Sequence, residues 1–150
     1  MPTRDDSETH FLNVDLDIYS KSDLEPFVTA LGEKVCVLYV GRDRRTYVAH
    51  LELASGNPKS ADAAIRRFCT LIGALPKAAQ ELWNTARTRE FNIGVQAATQ
   101  PHSWETSLST EALEAAAKLK ARIGFTVYAP EVPKTIVRKK RASARGKKVL

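Results

Sequence analysis

The sequence predicts an α+β fold: a single, largely antiparallel sheet with helices packed on one face, followed by a disordered basic C-terminal tail. Three observations carry this. Stretches with period-two alternation are interleaved with stretches of helical period, so strands and helices share one chain. The alternating stretches put polar residues on one side, as a sheet solvated on one face requires. The charge is also divided. Residues 132–150 hold eight Lys/Arg and no acid, whereas residues 1–131 hold fifteen Lys/Arg against seventeen Asp/Glu, so a body at −2 carries a tail at +8.

Phe11 to Tyr19 alternates strictly, with Leu12, Val14, Leu16 and Ile18 on one side and Asn13, Asp15 and Asp17 on the other. That is a half-buried strand. Ser22-Asp-Leu-Glu25 reads as a capping box for a short helix that turns Leu24, Phe27, Val28 and Leu31 inward and stops near Gly32. Lys34 to Val40 is rich in β-branched residues, Gly41 to Arg45 is a turn, and Thr46 to Ala54 alternates, which together predict a hairpin. Ser60 caps the longest helix, running to about Leu75 with Ala61, Ile65, Phe68 and Ile72 at helical spacing. Pro76 stops it and opens a helix carrying Leu82, Trp83 and Ala86. Glu90 to Ala97 alternates again, Thr99 to Ser107 is a polar loop, Ser109 caps a last helix, and Arg122 to Ala129 closes the body as a strand with Ile123, Phe125 and Val127 on one face.

The segments Phe11–Val40 and Phe91–Tyr128 echo each other as strand, loop, Ser-capped helix and closing strand. Two strand–helix–strand units on one sheet predict a ferredoxin-like arrangement. The domain plan is a disordered lead-in at 1–9, a globular body at 10–131 and the tail at 132–150.

One hundred and fifty residues, 43% hydrophobic and 27% charged, suffice for one domain with a core that needs no staples. Cys36 and Cys69 form neither a zinc spacing nor a disulfide framework, and their apolar surroundings predict buried free thiols in a reducing compartment. The polar start of the chain is no secretory signal, and no apolar run reaches the length of a membrane span. A cytoplasmic protein is expected.

On the predicted topology an open polar sheet face presents Asn13, Asp15, Asp17, His50, Glu52, Asn92, Gln96, Thr126 and Tyr128. Asp15 and Asp17, two apart on one strand, offer hard-cation ligands; His50 and Glu52 offer an acid–base pair. The same alternation arises in any half-solvated sheet, so this face is a binding candidate before it is a catalytic one. Trp104, in the polar loop, is a candidate anchor for a partner or a lid over the sheet edge. His10 and His102 have no metal-ligand spacing, and no phosphate-binding or serine-nucleophile motif occurs. No catalytic residue, metal ligand or cofactor is assigned. In the tail, Lys134, Arg138, Lys139, Lys140, Arg141, Arg145, Lys147 and Lys148 are placed to contact phosphates without sequence preference. The absence of aromatics among them argues against base stacking.

The body resembles an uncharacterised bacterial family, a domain of unknown function. The residues that carry the likeness are Phe11–Tyr19, the alternating Phe91–Val95, and Leu108-Ser109 through Leu113 to the strand Ala121–Ala129. They span roughly residues 10–131. The resemblance implies a small α+β domain and no catalytic residue; some comparable small bacterial domains serve as immunity or partner-binding proteins. The expectation is therefore a non-catalytic protein-binding module with a polyanion-contacting tail. The alternatives are a nucleic-acid-associated protein acting through the tail, and an enzyme or metal-binding protein using the polar sheet face.

Overall fold

The computed structural model describes residues 7–54 and 58–130 of the chain. The basic tail with its eight cations, and most of the lead-in, lie outside the described residues. Thr9 is bonded to the body: its amide donates to the Gln100 carbonyl at 2.7 Å, and its hydroxyl accepts from the Ala98 amide at 3.0 Å.

The fold is α+β. The elements run β1 (His10–Ser20), α1 (Glu25–Leu31), a 3₁₀ turn (Gly32–Lys34), β2 (Val35–Asp43), β3 (Thr46–Leu53), α2 (Ala61–Gly73), α3 (Lys77–Thr85), β4 (Thr88–Gln96), α4 (Thr110–Lys118) and β5 (Arg122–Tyr128). The five strands form one open, mixed sheet in the order β2-β3-β1-β4-β5. Every neighbouring pair is antiparallel except β4 and β5, which are parallel. The two echoing segments therefore pair differently: β4 and β5 are adjacent, whereas β3 lies between β1 and β2. No helix among the described residues is long and apolar enough to cross a membrane.

The core forms because the three inner strands each turn one parity of residues toward the helices. Leu16 and Ile18 of β1, Ala49 and Leu51 of β3, and Phe91 and Ile93 of β4 are fully buried against Phe27, Ile65, Phe68, Ile72, Trp83 and Ala112. Phe68 and Phe91 meet with ring centroids 5.6 Å apart, tying α2 to the sheet, and Phe27 stacks on Trp83 at 5.8 Å, tying α1 to α3. The Trp83 indole donates to the Leu119 carbonyl at 3.0 Å, which satisfies the last turn of α4. Ser60 and Ser109 cap α2 and α4 as expected, accepting from the Ala63 and Ala112 amides. Asp62 joins the two helix starts by accepting from the Ser109 amide at 2.6 Å, and that bond holds its carboxyl below the usual range. The stability it supplies is present above its unfolded value and is lost as pH falls through the lowered one.

Several local expectations are corrected. Ser22 does not cap α1; Asp23 accepts from the Glu25 amide instead, and the helix begins with Pro26 in its first turn. The hairpin turn is only Arg44-Arg45, because β2 pairs with β3 out to Asp43 and Thr46; Arg44 takes the left-handed conformation this tight reversal needs. A bulge at Leu12 breaks the alternation of β1, so Phe11, not Leu12, packs on the core. Cys69 is buried but Cys36 is exposed, because the register of β2 sets it opposite Glu52 on the uncovered polar face of an edge strand. Phe125 and Val127 of β5, although on the helix side, remain 58% and 63% exposed, because β5 is the other edge strand.

Replacing Trp83 by Phe keeps a ring in the core but leaves the Leu119 carbonyl without its donor. Urea unfolding is expected to show a loss of about 1–3 kcal/mol. An unchanged midpoint would mean that water replaces the indole at no cost.

Candidate functional site: the uncovered sheet face

Alternation fixes this face. With Val14, Leu16 and Ile18 committed to the core, Asn13, Asp15, Asp17 and Tyr19 must point the other way. The antiparallel registers then set Asp17 beside His50 of β3 and Glu90 of β4, Asp15 beside Asn92, and Asn13 beside Gly94. On β5, Arg122, Gly124, Thr126 and Tyr128 fall opposite Glu90, Asn92, Gly94 and Gln96. The nine polar residues expected on one face share it. Glu90, Arg122, Tyr19 and Tyr39 join them.

The side chains bond to one another. Asn13 donates from one amide nitrogen to both Glu52 (2.6 Å) and Asp15 (3.0 Å). His50 Nδ1 lies 2.6 Å from an Asp17 carboxylate oxygen. A carboxylate only accepts, so the imidazole proton sits on Nδ1. Arg122 donates to Glu90 at 2.7 Å, Asn92 donates to Glu90 at 3.3 Å, and Thr126 donates to Asn92 at 2.9 Å. Tyr19 meets the His50 ring edge-on at 5.9 Å, and Tyr39 lies 6.2 Å from it. The bulge at Leu38 brings Tyr39 here: it restarts the pairing of β2 one residue late and turns Tyr39 onto the polar side, opposite His50. Two glycines make room. A Cβ on Gly94 would sit 2.8 Å from Asn13 Oδ1, and one on Gly124 would sit 2.7 Å from Glu90 Oε1.

Four carboxyl groups and one arginine make the face acidic. Burial is the first cause that pushes the Asp15 carboxyl up to about 6; the charge of Glu52, a hydrogen bond with it and the charge of Asp17 act in the same direction, and His50 opposes them. Burial, then Asp17, Glu90 and Asp43, likewise raise the Tyr19 phenol. Asp15, beside Glu52, thus holds a proton below about pH 6.

Chemically the face is open. A cavity of about 20 Å³ at one end, lined by Phe11, Asn13, Glu52 and Pro58 among others, has room for a water molecule and not for a metabolite. Among the described residues, no three His, Cys, Asp or Glu side chains group as metal ligands. Trp104 lies apart from the face, in the loop between β4 and α4, half-buried and packed on the core. His10 bonds locally to the Glu8 carbonyl, and His102 is exposed.

Asp15, Asp17, His50 and Glu52, singled out in the sequence, are brought together. Asn13, the donor that links two of them, was legible as a face residue. Tyr39, Glu90 and Arg122 were missed. The Leu38 bulge hides Tyr39, and the parallel pairing of β5 that sets Arg122 beside Glu90 has no local signature. Compared with known proteins, the chain matches no protein-family model, no curated protein and no solved structure.

The raised Asp15 carboxyl makes the folded chain hold a proton that the unfolded chain releases near pH 3.8. Stability therefore falls as pH rises from about 4 to 6 and stays lower above. Asp15→Asn is expected to remove that slope and to raise stability at pH 8 by about 1 kcal/mol, allowing for the group's partial exposure. Thermal melts across this range check it; a destabilised variant at pH 8 would contradict it. Asn13→Ala, which removes the shared donor, is expected to cost about 1–3 kcal/mol at pH 8 and clearly less at pH 5.

Proposed function

We propose that the protein is a non-catalytic binding module and that the uncovered sheet face is its working surface. The partner is a protein presenting a basic patch. One observation carries this reading: the face is an open, acidic, side-chain-bonded surface with Tyr19, Tyr39 and His50 at one end, and the cavity at its other end holds no more than a water molecule. Open polar surfaces of this kind suit macromolecules; tyrosines supply contact area at little entropic cost, and carboxylates receive Arg and Lys. Four carboxyl groups repel phosphates, so any nucleic-acid contact falls to the basic tail. An immunity-type role, in which the module covers a basic protein, is one form of this reading.

The test is capture from the source lysate after nuclease treatment, with the native chain and with a Tyr39→Ala/Asp17→Asn variant side by side. The expected result is a protein partner that survives nuclease, is held by the native chain, and is lost from the variant and at high salt. Equal capture by both chains would place binding elsewhere. Material that disappears with nuclease would give the leading role to the tail.

A second reading has an observation in its favour. Asp15 with a carboxyl near 6 beside Glu52, and Asp17 bonded to His50, are groups suited to general acid–base chemistry. On this reading Asp15 is the acid.

For the architecture, we propose that β1 to β4 with α1 to α3 form a ferredoxin-like unit to which α4 and β5 are added. The order β2-β3-β1-β4 and its antiparallel pairings support this. A cytoplasmic location is supported by Cys36, an exposed thiol suited to a reducing compartment.

A further inference from the structure

The two edges of the sheet are built differently. β2 carries the bulge at Leu38, a device that disrupts further pairing along an edge. β5 carries none. Over Arg122–Tyr128 it pairs with β4 without a register break, has no proline, and holds one charge, at its start. Among the described residues no strand lies on its outer side.

The backbone of β5 can be assigned. The Tyr128 carbonyl accepts from the Ala97 amide at 2.9 Å, so Tyr128 turns its peptide groups toward β4. Backbone direction alternates along a strand, and Arg122, Gly124 and Thr126 therefore do the same. Ile123, Phe125 and Val127 turn theirs outward. These are also the residues whose apolar side chains lie on the helix side, with Phe125 and Val127 uncovered. Three unpaired peptide units and an apolar row thus coincide on one edge.

We infer that this edge pairs with the β5 edge of a second copy of the chain, in an antiparallel register centred on Phe125. A two-fold axis there sets Phe125 against itself and Ile123 against Val127 of the second copy. Each is a hydrogen-bonded pair exchanging two N–H···O bonds, and all the outward groups of the three residues are used. On the other face Gly124 meets Thr126, and Arg122 meets Tyr128, a cation against an aromatic ring. No like charges oppose one another. This self-complementarity is what selects a second copy as the occupant. The area closed is roughly 800 Å² in all, below the usual size of specific interfaces, so the association is weak and transient, with Kd on the order of tens of micromolar. On the polar side it uses only the β5 residues Arg122, Gly124, Thr126 and Tyr128 and leaves Asp15, Asp17, His50 and Glu52 of the inner strands free, so it stands or falls separately from the binding function.

The experiment is sedimentation of the full chain from roughly 5 to 300 µM, a range chosen to bracket that affinity. The expected result is a mass rising from monomer toward dimer, with Val127→Lys monomeric throughout and unchanged in circular dichroism. A second measurement fixes the register. In a Cys36→Ser background, Phe125→Cys is expected to form a disulfide dimer on mild oxidation, because a hydrogen-bonded pair places its Cα atoms about 5.5 Å apart. Thr126→Cys, whose two copies lie roughly 8 Å apart in this register, is not. A native chain that stays monomeric throughout, a dimer untouched by Val127→Lys, or equal crosslinking at 125 and 126 would each overturn the inference.

Discussion

Strand β1 is paired on both sides, with β3 and β4, and its side chains have two places to go. Val14, Leu16 and Ile18 are drawn to the helices, each burial worth on the order of 2 kcal/mol. The period of two then commits Asp15 and Asp17 to the opposite side, about 7 Å apart along the strand. Two carboxyl groups at the middle of a sheet, partly removed from water, are costly unless something compensates. The compensation is visible: Asn13 donates to Asp15 and Glu52, His50 sits on Asp17, and Asp15 keeps a proton to about pH 6. The hydrophobic core and the polar face are thus two consequences of one alternation.

The same geometry explains what the molecule offers to a partner. Helices cover only one side of the sheet, and nothing among the described residues lays a second layer over the other. The side chains of the exposed surface stand on paired strands and are bonded to their neighbours across them. Its charge is negative, whereas the tail is positive. The sheet edges add a third surface, and the bulge in β2 with its absence from β5 makes the two edges unequal.

Much of this was legible in the sequence. Residues at the centres of strands, such as Leu16, Ile18, Leu51 and Ile93, were placed by alternation alone. The Ser60 and Ser109 caps were read correctly because an N-cap is a local device. The nine polar face residues were identified for the same reason as the core: they are its complement. What escaped was non-local or irregular. A bulge shifts every residue beyond it to the other face, so Phe11, Leu12 and Tyr39 could not be placed by counting. An apolar run does not say which residues face the helices; Cys36 falls opposite Glu52 on the uncovered face and is exposed where a buried thiol was expected. The Glu90–Arg122 pair requires a parallel neighbour 32 residues away, which pairing between elements alone decides.

The central claim is that the fold, by burying Asp15 beside Glu52, makes Asp15 hold a proton well above the usual carboxylate range. Carbon-13 NMR titration of the side-chain carboxyl groups reads this directly, without reference to stability. The account predicts that Asp15 titrates near 6. Titration of Asp15 near its ordinary value of 3.8 would contradict it, since that side chain would then be solvated like an isolated surface acid.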